Sequence, residues 1–332
     1  MSASIKQIEY FLPDKVLSNE DLQQEFPDRD VAKMAKKIGV FSRHIVHETQ
    51  TALDLGEAAC KKLFETYDKN KIDFIVLCTQ SPDYHLPTSA CLLQNRLGLS
   101  EKVGAFDINQ GCSGFVYSLT IAKGFISAGI ANNVLLVMAE TYSKHLNPKD
   151  LGNRMIFGDG ASAIVVEKSE SQMIGDFVLG TNGDGYENLI VPNGGMKCRY
   201  DHNAEVIIGN RNDERTANDL YMNGSEIFYF VSKQIPGVVD QTLIKNKLGQ
   251  SDIDFFIFHQ ANEYMISFLT KKLKISKDKY YNNIDDLGNT VSSTIPIALK
   301  RCMVKGLVKK GDKIMLCGFG VGYSWASVII EL

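Results

Sequence analysis

The sequence predicts an α/β protein built as a duplication: two sheets packed around a shared helical layer and related by a pseudo-twofold axis. Three observations point there. Continuous apolar runs at 72–78 (IDFIVLC), 134–138 and 253–258 alternate with helical patterns, as expected for strands buried on both faces in an α/β fold. The run 72–78 aligns without a gap on 253–259, which places His259 opposite Cys78 at a strand's C-terminal end. Segments 104–129 and 281–306 have equal length, put Cys112 on Asn289, and are followed by matching strands at 163–167 and 327–331. The division expected is a first half over 1–170, a connecting excursion or cap over 171–223, and a second half over 224–332.

The elements follow in order. Residues 5–11 read as a strand, followed by the turn Pro13-Asp14 and a charged helix with Ser18 as its N-cap. Lys33, Lys36, Lys37, Arg43, His44 and His47 make the next stretch basic, either a solvated face or an entrance that contacts phosphate. Thr51 starts an amphipathic helix over 51–66, Pro82 and Pro87 punctuate a loop, and 89–97 is helical. After strand 134–138, the turn Phe157-Gly158-Asp159-Gly160 leads into strand 161–167. Residues 196–219 are polar and poorly patterned, an excursion placed to wall the site. Over 224–248 a long helix is expected, kinked by Pro236 or with that residue in its first turn. A helix over 261–273 precedes a lysine-rich stretch, and strands 313–317 and 325–330 are joined by a glycine-rich loop, 318–322.

Composition narrows the function classes. A chain of 332 residues with 44% apolar and 23% charged residues has the make-up of a globular protein with a real core. A net charge of -3 gives no general pull toward nucleic acid. No run approaches the roughly 18 apolar residues of a membrane span, and the N-terminus lacks a signal-peptide layout. The seven cysteines are scattered without a CxxC pair, which argues against zinc and against a disulfide framework and suits a reducing, cytoplasmic setting. Most sit in apolar runs; Cys198, in a polar stretch, is the one expected at the surface.

The chemistry concentrates at 103–129. An apolar strand ends in the turn Gln110-Gly111-Cys112-Ser113-Gly114, and a helix follows with Phe115, Leu119, Ala122 and Ile126 on one face. A cysteine at a helix start is near unpaired N–H groups and the positive end of the dipole, which favour its thiolate. Taken alone, Cys112 also fits a buried structural thiol, His259 a core histidine, and Asn289 a turn residue beside Gly288.

Five ordered motifs decide between these: DINQGCSGFVYSL at 107–119, IFGDGASAIVV at 156–166, FHQAN at 258–262, LGNTVSSTIPIAL at 287–299 and GFGVGYSWAS at 318–327. Together they resemble the thiolase superfamily and most closely the β-ketoacyl-acyl carrier protein synthase III family, over nearly the whole chain. The resemblance implies a thiolase-like, duplicated five-layered α/β/α/β/α fold and a homodimer. It implies a triad of Cys112, His259 and Asn289. The Cys112 thiolate would take an acyl group from a thioester, with the N–H groups of Cys112 and Val321 as the oxyanion hole. A malonyl thioester would then lose carbon dioxide while His259 and Asn289 donate to its thioester oxygen. Phe319 matches the aromatic that favours decarboxylation, and Leu86 the gate of the acyl pocket. The substrates implied are acyl-coenzyme A and acyl or malonyl carrier protein, with no bound cofactor, no metal, no nucleic acid and no membrane. Carrier proteins are acidic, so Lys36, Lys37, Lys271 and Lys272 are expected contacts, with a merely solvated lysine face as the alternative.

The chain also departs from the family. Val321 stands in a loop that is usually all glycine. The Trp and Arg that clamp the adenine of coenzyme A are missing, the region reading Lys33 to Gly39 and the Arg position being Leu151. The main alternative is therefore a relative that moves the acyl group to an oxygen or nitrogen acceptor in a secondary-metabolite or polysaccharide pathway. A 3-hydroxy-3-methylglutaryl-coenzyme A synthase would need a glutamate where Gln80 stands, and a non-catalytic carrier-binding subunit would not keep Cys112.

Overall fold

The computed structural model describes residues 2–209 and 213–332. Two sheets carry the molecule. The first has five strands in the order Ser2–Phe11, Gly160–Ser169, Asn133–Glu140, Phe74–Cys78, Gly104–Ile108. Phe74–Cys78 runs parallel to both of its neighbours, and the other two pairings are antiparallel. The second has Val178–Thr181, Ser324–Glu331, Lys313–Gly320 and Phe255–Phe258, again with a parallel pair at the inner end and antiparallel pairing outward. The fifth strand is reduced here to one parallel bridge, Phe256 to Tyr280, so 281–284 forms no strand.

The apolar runs explain the layering. Val76, Leu136 and Ile164 of the first sheet and Ile257, Leu316 and Val328 of the second point at each other. Between them lie Phe115 and Leu119 of helix Gly114–Ser127 and Ile295 and Leu299 of helix Thr294–Val304. The helices Ala52–Phe64 and Ser89–Arg96 cover the outer face of the first sheet, and Gly224–Lys245 and Glu263–Lys272 that of the second. The result is five layers, α/β/α/β/α, with the largest core at the centre. Val178–Thr181, within the stretch expected to be a connection, is the outer strand of the second sheet.

Local chemistry sets the boundaries. Ser18 and Thr51 cap their helices as expected, each in a capping box with the aspartate three residues on. Helix Gly224–Lys245 runs through Pro236 without ending. A proline cannot donate to the carbonyl four residues back, and that carbonyl, of Ser232, accepts instead from Lys272 Nζ at 2.8 Å. All seven cysteines are free; Cys198 is exposed as expected, and so is Cys91, which lies on the outward side of its helix.

The shared layer holds the largest part of the fold's buried apolar surface. Phe115→Ala is expected to lower stability by about 3–5 kcal/mol, against no more than about 0.5 kcal/mol for exposed Ile130→Ala. Denaturant unfolding measures both, and similar small effects would refute a central layer common to the halves.

Candidate active site

The first half supplies a thiol and the second half supplies its surroundings. Cys112 follows the strand Gly104–Ile108 and precedes Ser113, the N-cap of helix Gly114–Ser127. It is 7% exposed. Gly320, at the end of Lys313–Gly320, backs directly onto it: a Cβ there would stand 3.0 Å from Cys112 Sγ. The neighbouring Phe319 ring meets the His259 ring edge-on at 5.7 Å. His259 follows Phe255–Phe258 and its Nδ1 pairs with Thr294 Oγ1 at 2.7 Å. Thr294 in turn reaches Val291 O at 3.0 Å, and Val291 N–H donates to Asn289 Oδ1 at 2.9 Å. Asn289 is tied to the first half through Ile156 O and Gly158 N–H, at 2.7 and 3.1 Å. His259 and Asn289 are thus linked through Thr294 and Val291, and Cys112 joins them through Gly320, the neighbour of Phe319.

The electrostatics of this group are those of a dry site. Burial pushes the Cys112 thiol well up, the negative charge of Glu140 adds to this, and its own N–H opposes. Burial therefore acts against the thiolate that a helix start favours. Burial lowers His259 to about 3, so its imidazole is neutral through the working pH range. The Thr294 hydroxyl has one proton and two neighbours that want it. Turned to Val291 O, it makes Nδ1 the donor and leaves a lone pair on Nε2. Turned to Nδ1, it leaves Nε2–H to donate to an oxygen, the form that enolate stabilisation needs.

The two N–H groups expected to form the oxyanion hole lie beside glycines. Among the described residues, neither the Cys112 nor the Val321 N–H reaches a backbone carbonyl. The Val321 side chain finds room because position 111 is glycine; a Cβ on Gly111 would be 2.7 Å from Val321 Cγ1 and from Gln80 Oε1. Ser324 Oγ holds the loop, reaching Val321 O at 3.1 Å and Ser113 Oγ at 2.7 Å.

A cavity of about 720 Å³ opens beside the group. Met34, Lys37, Arg215, Phe228 and Tyr264 are among its lining residues. Ile156 and Met222 line the cavity and also pack against the apolar cluster that contains Cys112. Tyr142, Phe157, Leu189, Val191, Leu220 and Val291 complete that apolar wall. Of these six, the sequence motifs contain only Phe157 and Val291; the rest come from the loop after Asn133–Glu140 and from segments flanking 196–219. The strand pair Ile207–Ile208 and Glu214–Arg215 lies in this stretch, and Arg215 and Asp213 line the cavity.

Other expected residues fall elsewhere. Leu86 is 83% exposed and does not line the pocket of its own chain, because the loop 82–88 turns outward after Phe74–Cys78. Lys37 lines the cavity, with its Nζ 5.6 Å over the Tyr264 ring. Lys36 and Lys271 are exposed outside it, and Lys272 is engaged by Ser232 O. Leu151, where the resemblance implies an arginine, is fully buried in an apolar cluster with Leu17, Leu22 and Val31. Among the described residues no group of three His, Cys, Asp or Glu is placed to hold a metal, and no helix is long and apolar enough to cross a membrane.

Comparison with known proteins agrees with this geometry. Residues 106–183 match the family model for 3-oxoacyl-[acyl-carrier-protein (ACP)] synthase III, and residues 243–332 match that for its C-terminal part. The β-ketoacyl-[acyl-carrier-protein] synthase III of Caldanaerobacter subterraneus is 38% identical over 97% of this chain and 95% of its own. That of Xanthomonas campestris is 36% identical over 97% and 95%. A crystal structure of a 3-oxoacyl-(acyl-carrier-protein) synthase III superposes with a TM-score of 0.98 at 43% identity over the whole of both chains. The Pseudomonas aeruginosa enzyme does so with 0.87 at 30%, over 100% of this chain and 98% of its own. Five layers, a connected cysteine, histidine and asparagine, and full-length likeness agree: the chain belongs to the 3-oxoacyl-[acyl-carrier-protein] synthase III family of thiolase-like condensing enzymes.

Proposed function

We propose that this condensing enzyme joins an acyl group carried on Cys112 to a malonyl thioester with loss of carbon dioxide, His259 and Asn289 serving the second step. The observation that carries the reading is the convergence of a buried thiol, two backbone N–H groups that reach no backbone carbonyl among the described residues, and a neutral histidine beside one cavity. In the first step the Cys112 sulfur attacks the acyl thioester carbon. Its proton leaves with the departing thiol, and the N–H groups of Cys112 and Val321 receive the developing oxyanion. In the second step the malonyl thioester loses carbon dioxide. Its enolate oxygen accepts from His259 Nε2–H and Asn289 Nδ2–H, its carbon attacks the acyl group, and Cys112 is released as thiolate to regain a proton. Phe319, packed on His259, keeps water from the carboxylate that departs.

The acyl and malonyl donors are thioesters of coenzyme A and of acyl carrier protein. The cavity takes the arm that both share, with Lys37 and Arg215 at its wall for phosphate. Lys36 and Lys271 remain contacts for an acidic carrier, whereas Lys272 is held by Ser232. The relatives favour this reading over acyl transfer to an oxygen or nitrogen acceptor. We place the enzyme in the cytoplasm on its seven free thiols. The edge strand Gly104–Ile108 is half-buried along its length and has one side unpaired in its sheet. Tyr84 and Leu86 stand exposed in the preceding loop. Such an edge supports a homodimer, in which Leu86 would reach the partner subunit. Light scattering is expected to give twice the chain mass of 36.9 kDa; the single-chain mass at micromolar concentration would refute it.

Intact mass after mixing with acyl-coenzyme A and acyl-carrier-protein thioesters tests the first step. Cys112→Ala is expected to give no adduct, while His259→Ala and Asn289→Ala still acylate but lose decarboxylation by about a hundredfold or more. Equal loss of acylation in all three would sink the division of labour. At the oxyanion loop, Val321→Gly keeps the N–H and is expected to change acylation by no more than about threefold. Gly111→Ala, which collides with Val321 and Gln80, is expected to lower it about a hundredfold, the scale of a lost oxyanion donor. The reverse order would mean that the valine side chain shapes the hole.

A further inference from the structure

Glu140 ends the strand Asn133–Glu140 and is fully buried, yet among the described residues no ion pair reaches it. Its carboxylate accepts from both halves of the molecule. Oε2 takes the Gln80 N–H at 3.0 Å and the Ser81 hydroxyl at 3.2 Å, in the loop after Phe74–Cys78. Oε1 takes the Ser292 hydroxyl at 3.0 Å. Ser292 belongs to the 3-10 turn Val291–Ser293, which lies between Asn289 and helix Thr294–Val304.

That turn is strained. Val291 has φ 55°, a left-handed conformation that disfavours a β-branched side chain. Such a residue persists only where its surroundings over-determine it. The strain has a use, because the Val291 N–H is what holds Asn289 Oδ1 and leaves the Nδ2–H groups for substrate. Three side chains restrain the turn: Ser292 to Glu140, Ser293 Oγ to Met138 O at 2.8 Å, and Thr294 Oγ1 to Val291 O at 3.0 Å. Of these, the Glu140 contact alone also grips the Gln80 loop, which packs beside Gly111 and the nucleophile.

We propose that Glu140 is a positioning residue for the condensation step, clamping the Ser292 turn to the Gln80 loop so that the Asn289 amide stays in register with Cys112. The proposal rests on the reading of Cys112 as nucleophile and Asn289 as donor to the malonyl oxygen. Its charge acts oppositely on the first step, since a carboxylate there raises the Cys112 thiol. The titratable groups facing it are Cys78 from its neighbour strand, Cys112, Tyr142 and Asp159; none is a cation. Burial, with Asp159 adding, raises Glu140 to about 8, against the pull of its three donors. Above that pH the carboxylate accepts from all three. Below it one oxygen carries a proton, so a serine hydroxyl facing it must turn to accept and the three-donor pattern is lost. Condensation from a preformed acyl-enzyme therefore rises as pH passes upward through about 8.

Single-turnover rates of acylation and of condensation from preformed acyl-enzyme separate the two steps. Glu140→Gln is expected to acylate at least as fast as the unchanged chain, condense about tenfold more slowly or worse, and lose the pH step. Ser292→Ala keeps the carboxylate and is expected to slow condensation alone, so it tests the clamp even if Glu140→Gln does not fold. Parallel slowing of both steps, or condensation within about twofold of the unchanged chain in Ser292→Ala, overturns the positioning role. No adduct on the unchanged chain would instead overturn the reading of Cys112, and the proposal with it.

Discussion

The site depends on one close approach, that of residues 318–320 of the second half to the Cys112 elbow of the first. A methyl group at Gly320 would stand 2.7 Å from Cys112 Cβ, and one at Gly318 2.9 Å from Ser113 Cα. Neither neighbour can move aside, one being the nucleophile's own stem and the other the start of a central helix. Only glycine therefore lets the strand end lie flat against the elbow. Once it does, Phe319 is brought to His259 and the Val321 N–H to the side of the elbow, without any long loop having to be ordered for the purpose. The central helix layer, buried along its inward faces, holds the two halves at this distance, so core packing and site geometry are one constraint.

Burial on this scale sets the electrostatic character. Cys112 and Glu140 are both shifted toward their neutral forms, and His259 is held neutral as well. A low-dielectric site of neutral groups makes each fixed donor count for more than it would in water. It also disfavours a standing thiolate, so charge at Cys112 is best created and consumed within one step. That suits a reaction whose charge appears on an oxygen that fixed N–H groups already face.

Much of this was legible in the chain because the signals are local or repeated. The buried strand read over 72–78 is observed as Phe74–Cys78, and that over 253–258 as Phe255–Phe258, because an apolar run of that length has few other uses. The candidate residues Cys112, His259 and Asn289 came from ordered motifs. What was missed depends on distance along the chain or on side-chain reach. Glu140 looks like an ordinary acid at a strand end until its partners, 60 and 152 positions away, are known. Lys272 looks like a free surface cation until the carbonyl freed by Pro236 claims it. Leu86 was placed by analogy in a pocket that its own chain does not offer it.

The duplication also shows why equivalent positions came to do different work. In the first half the strand passes through an elbow straight into helix Gly114–Ser127, so Cys112 stands next to the helix start. In the second half the matching helix begins only at Thr294, and the turn Val291–Ser293 fills the difference. That turn sets Asn289 back from the helix and, through the Val291 N–H, fixes its side-chain oxygen and leaves its Nδ2–H groups free of that contact. The turn is conformationally unfavourable at Val291, so it needs an anchor outside its own half. Glu140 and the Met138 carbonyl, both on the first half's strand, are that anchor. Two copies of one motif thus place a thiol and an amide differently through a few residues of chain, α-helical in one copy and a 3-10 turn in the other, with the first copy anchoring the second.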